Sequence, residues 1–144
     1  MTAASGLYVA TIRDAVKNVI ALDVTSTLNK VAMYTSALTP NFNADPSSYS
    51  ATNEVSGTGY TAGGIVIASP TLVISTGNLV FDIADSSWAS STITNARQAT
   101  IYADALTPKA NQVTIDFGAD FSTVAGTFTI QWPAGGVWSL DLVP

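Results

Sequence analysis

Hydrophobic positions along the chain follow one helical period and then a long succession of two-residue periods. Val9, Ile12, Val16, Val19 and Ile20 recur at steps of three and four, with Arg13, Asp14, Lys17 and Asn18 on the other side. That spacing predicts a helix over about 7–22 with one apolar stripe. Ser5 offers a capping hydroxyl ahead of it, and Gly6 is a poor interior residue. The stripe is expected to pack on the helix's own domain; docking on a neighbouring subunit is the alternative.

From Leu28 the period is two. Leu28–Tyr34 reads as a strand that becomes apolar on both faces. Further strands are predicted at Ile65–Ala68, Thr71–Ile74, Leu79–Ile83, Gln98–Ala103, Val113–Phe117, Thr127–Trp132 and Val137–Leu142, with turn residues between them. In Thr127–Trp132, Phe128, Ile130 and Trp132 face one side, while the intervening Thr and Gln face water. Two irregular segments interrupt the series. Thr39–Tyr49 holds Pro40, Asn41, Asp45 and Pro46, and Asn53–Gly64 holds four glycines. Trp88, set among serines, reads as a loop anchor or a contact residue. The expectation is one domain over 1–144: a mainly β, antiparallel β-sandwich or jelly-roll-like fold over about 28–143 with one N-terminal α-helix.

Composition narrows the function. Charged residues are only 10% of the chain, and polarity comes instead from 15 Ser and 19 Thr. The net charge is −5, with Arg13, Lys17, Lys30, Arg97 and Lys109 scattered. Such a chain is expected to bind neither a phosphate backbone nor an anionic membrane surface. No apolar run reaches the ~20 residues of a membrane-spanning helix, and Met1–Gly6 lacks the features of a signal peptide. Cys and His are absent, which removes disulfides, thiolate nucleophiles and Ser-His triads. Asp82 with Asp85, and Asp116 with Asp120, are the closest carboxylate pairs, but Asp at strand ends is usually a turn-former. No phosphate-loop or EF-hand pattern is present. No catalysis, cofactor or metal is expected.

The stretch Asn53-Glu54-Val55-Ser56-Gly57-Thr58-Gly59-Tyr60 resembles an N-E-V-x-G-x-G-[YW] motif of tailed-bacteriophage virion proteins. Thr39-Pro40-Asn41-Phe42 resembles the loop after the first strand. Ala99–Asp104 resembles a later "IYxD" strand, and Asp116–Phe128 the C-terminal part. Nearly the whole chain is covered, and the likeness is to small structural proteins of phages that infect actinobacteria.

The resemblance implies a non-enzymatic virion protein, foremost a capsid decoration protein that binds and stabilises the assembled head. A tail, fibre or neck component contacting the host surface is the alternative. It further implies the major capsid protein as partner, a homotrimer, and a place on the capsid exterior after synthesis in the bacterial cytoplasm. Candidate subunit or capsid contacts are Tyr8, Ile12, Phe42, Tyr49 and Trp88. Glu54, the only Glu, is a candidate partner for a capsid Arg or Lys.

Overall fold

The structure is a computed structural model and describes residues 4–143. Its strands are β1 (Gly6–Leu7), β2 (Lys30–Tyr34), β3 (Gly57–Thr58), β4 (Ile65–Val66), β5 (Thr71–Ser75), β6 (Asn78–Asp82), β7 (Ser86–Ile93), β8 (Ala96–Tyr102), β9 (Asn111–Phe121), β10 (Gly126–Ile130) and β11 (Trp138–Asp141); helix α1 is Val9–Val16. Strand pairs are antiparallel, so the mainly β architecture with one N-terminal helix is what forms. The strands divide into three sheets, in the orders β1-β9-β8-β2-β4, β10-β7-β3 and β11-β6-β5.

The five-stranded sheet has two different faces. Val31, Met33, Ala99, Ile101 and Val113 point one way, into an apolar core completed by Phe81, Trp88, Ile93, Phe128 and Ile130 of the other sheets. This is sandwich-type burial between sheets. The opposite face carries Tyr34, Gln98, Thr100, Tyr102, Gln112 and Thr114, all buried. Thr there does not face water, as alternation alone suggests. The Thr100 and Thr114 hydroxyls bond each other at 2.6 Å, and Thr114 Oγ1 lies 2.9 Å from the Tyr8 hydroxyl. Buried hydroxyls are tolerable because they pair.

That polar face is covered by α1 and by the loop after β2. The predicted helix over 7–22 shrinks to Val9–Val16. Gly6 and Leu7 instead extend the sheet beside Thr114 and Val113. Asn18 stops the helix by adopting a left-handed φ of 56°, while Asn18 N–H and Val19 N–H donate to Ala15 and Asp14 carbonyls. The expected stripe does not face the domain. Small Ala10 and Thr11 are buried, letting the helix lie close to β9, while Val9, Val16 and Val19 are exposed. Ser5 caps no helix; its Oγ accepts from Asp116 N–H.

Strand β7 runs through the serine-rich segment read as loop. Ser86, Trp88, Ser91 and Ile93 are its buried positions. The phase slips by one between Trp88 and Ser91, where Ser90 has φ 50°. Strands β5 and β6 form a two-residue hairpin through Thr76 and Gly77, both with positive φ. With β11 they make an arm rooted in the core by Phe81.

Candidate functional site

The motif segment Asn53–Gly64 is a clamp built on Glu54. Val55 N–H donates to Met33 C=O beside β2, and the Val55 side chain enters the core. This fixes Glu54 against the polar face. Glu54 Oε2 accepts from the Tyr49 hydroxyl at 2.7 Å. Oε1 accepts from the Tyr60 hydroxyl at 2.5 Å and from Gly63 N–H at 2.7 Å. The Tyr60 oxygen in turn accepts from Met33 N–H at 2.9 Å. The Tyr102 hydroxyl closes the ring on Gly63 C=O at 2.8 Å, and Tyr49 stacks on Tyr102 with ring centres 4.5 Å apart.

Burial, and then the adjacent carboxylate, push the Tyr60 and Tyr49 phenols well above the usual tyrosine range. Both remain hydrogen-bond donors to Glu54. Two glycines make the clamp possible. At Gly64, with φ +72°, a Cβ would lie 1.8 Å from Val31 C=O; at Gly57, with φ +141°, it would lie 1.9 Å from Thr92 C=O. The backbones meet where a side chain would stand.

Several predicted contact residues therefore have internal roles. Tyr8 is 4% exposed, and its ring lies 5.2 Å from that of Phe42. Phe42 is half-buried and plugs the space over Gly6, where a Cβ would sit 3.1 Å from its ring. Trp88 is 3% exposed, between Tyr60 and Phe128, so it is neither a loop residue nor a surface anchor. Glu54 is engaged by three internal donors rather than offered to a cation. Tyr49 and Ile12 are half-buried. The structure brings Tyr49 and Glu54 together, and Tyr8 with Phe42, but leaves Ile12 and Trp88 elsewhere.

Four of the five cations are committed to internal ion pairs. Arg13 meets Asp14 and Asp45; Lys30 and Lys109 share Asp104; Arg97 meets Asp116 and Asp120. The Lys109 hydrogen bond holds the Asp104 carboxyl below its usual range, with burial opposing and Lys30 assisting. Of the carboxylates considered for chemistry, Asp82 accepts from Ile83 N–H and Asp85 from Trp132 N–H. Among the described residues no three acidic side chains gather into a metal-binding group. Among the described residues no helix is long and apolar enough to cross a membrane.

Large apolar side chains also reach the surface. Leu72, Val73 and Ile74 on β5 are exposed, as are Val9, Val16 and Val19 in and after the helix, and Phe121 and Val124 at and beyond the end of β9. A groove of about 460 Å³ also opens between β9 and β10, walled by Phe117, Phe121, Phe128 and Trp132. Periodicity marked Leu72 and Ile74 as strand residues but could not show which strands lie at an edge. No family model matches the chain, and neither a curated protein nor a solved structure matches it.

Proposed function

We propose that this chain is a non-enzymatic structural protein of a tailed-phage virion, and specifically a decoration protein that binds the assembled head. The observation supporting it is the division of labour in the molecule. Its carboxylates serve ion pairs, backbone caps and the Glu54 clamp, while large apolar side chains stand at the surface in separate patches. Exposed apolar patches mark surfaces that other macromolecules cover. The Asn53–Tyr60 motif that resembles one of virion proteins is architectural in this setting: it ties a loop to a sheet.

On this reading the major capsid protein and further copies of the chain, arranged as a homotrimer, cover those patches. Contact passes from Tyr8, Trp88 and Glu54 to exposed positions, with half-buried Tyr49 and Phe42 at the margins. Binding only the assembled shell stabilises it by mass action. Quantifying the chain in purified virions tests the placement. Hundreds of copies, and a shell that disassembles at lower temperature without the protein, are expected. A few to tens of copies overturn the head assignment in favour of a tail, fibre or neck position.

A further inference from the structure

Strand β5 is an edge without the usual protection. Natural edges are blunted by charge, proline, bulges or brevity. All of Thr71–Ser75 is exposed, with Leu72, Val73 and Ile74 at 38%, 50% and 85%. The strand carries no charge, and its ladder with β6 is unbroken. Of the terminal strands of the other sheets, β1, β4 and β3 are two-residue stubs, and the five-residue β10 is interrupted by a bulge between Gly126 and Phe128.

The ladder shows which backbone groups face outward. In antiparallel pairs, opposed residues alternate between exchanging both hydrogen bonds and exchanging none. Phe81 C=O accepts from Val137 N–H on the β11 side at 2.8 Å, so Phe81 does not bond its opposite residue Leu72. Two residues on, Ile74 and Leu79 stand in the same relation. The N–H and C=O groups of Leu72 and Ile74 therefore point to the free edge.

We propose that this edge pairs with β5 of a second copy of the chain. The strands run antiparallel about a twofold axis through Val73, so that Leu72 bonds Ile74 of the other copy and Val73 faces its own equivalent. The strand is its own complement, because the outward-pointing residues lie symmetrically about Val73. Leu72 and Ile74 share a face with Leu79 and Leu140, so two merged sheets carry one apolar stripe across the seam.

Charge also favours a copy over a cationic partner. No acid lies on β5, although the chain carries −5. Asp82 sits one strand back, on β6. The two β6 strands would be three spacings apart, ~14 Å, beyond the screening length of ~8–10 Å. The seam is smaller than the ~1,200–2,000 Å² of a stable complex, so pairing depends on concentration. It goes beyond the shell-binding reading and needs only two copies, so either can fail alone.

The chain has no Cys, so Val73→Cys introduces a single thiol. At a facing pair without hydrogen bonds the Cα atoms stand ~4.5 Å apart, within disulfide range. Under mild oxidant, V73C is expected to form covalent dimer at least tenfold faster than V16C or V124C, at sites 82% and 84% exposed. Rates are normalised to each thiol's reaction with a small disulfide. Adding Ile74→Lys should remove that advantage, and in the wild-type background it should abolish the concentration-dependent doubling of mass in sedimentation while leaving any trimer intact. Circular dichroism and an unchanged melting temperature confirm folding. A V73C rate equal to the controls, or one indifferent to Ile74→Lys, overturns the proposal.

Discussion

The Asn53–Gly64 segment and the β5–β6 hairpin are both short runs of turn and extended backbone, yet they direct their groups oppositely. The first turns its carboxylate and its tyrosine hydroxyl inward, although Asn53, Ser56, Thr58 and Thr61 stay exposed. Glu54 meets Tyr49, Tyr60 and Gly63, and glycine backbones press against β2 and β7. The second anchors only Phe81 and leaves Leu72, Val73 and Ile74 outside. An irregular glycine-rich loop with a single carboxylate can be the fixed part of a molecule, and a regular strand the part that awaits a partner. Secondary structure is a poor guide to which segment binds; where its polar groups find partners is a better one.

The most disruptive way to break the contrast is Glu54→Ala. It strands two tyrosine hydroxyls and one N–H, each of which loses a charge-assisted bond worth ~1.5–3 kcal/mol. A loss of about 3–5 kcal/mol in unfolding free energy is expected by urea denaturation. A loss below 1 kcal/mol would show that the clamp is dispensable. Tyr60→Phe removes one of the three donors and also the acceptor for Met33 N–H. It should cost about 1–3 kcal/mol in the same measurement.

Acid sharpens the contrast more gently. The Asp104 carboxyl, paired with Lys109 and Lys30, titrates below its unfolded value of ~3.9. Its contribution is fully present above that value and is lost as pH falls through the lower folded one. Melting temperature should therefore drop on acidification below about pH 4, and Asp104→Asn should flatten that drop. Salt should weaken the effect, since the pair is partly exposed. Smallest in stability is Ile74→Lys on the arm, expected within ~0.5 kcal/mol of wild type by denaturation. A large loss there would mean the arm is packed within the chain after all.

The β-rich class and most strand centres were legible because Thr127–Ile130 alternates, while Leu72–Ile74 and Thr100–Tyr102 are short runs rich in β-branched and aromatic residues. Strand β7 was not, because its inward positions include Ser86 and Ser91 and its phase slips at Ser90. The helix period was real but pointed the wrong way: Ala10 and Thr11, too small to register as hydrophobic signal, took the buried face. For the site, glycine density allows positive φ or close backbone approach without saying where; Gly57 and Gly64 show both. Glu54 looked available because a lone carboxylate in a loop carries no mark of its partners. Tyr49 and Tyr60 lie within six residues of it, yet their convergence depends on how β2 orients the loop.

The pairing of β1 with β9 bears on how the chain is made. Tyr8, just after β1, and Thr114 on β9 meet although they are 106 residues apart. A ribosome adding ~5–20 residues per second needs about 5–20 s to produce the second after the first. The bonds to Glu54, by contrast, join residues five to nine positions apart, and the ring around them is complete once Tyr102 on β8 has joined Gly63. The first of the described strands to emerge is thus among the last to be paired. The sheet stays open at that edge throughout synthesis, until β9 arrives to separate the N-terminal segment from solvent.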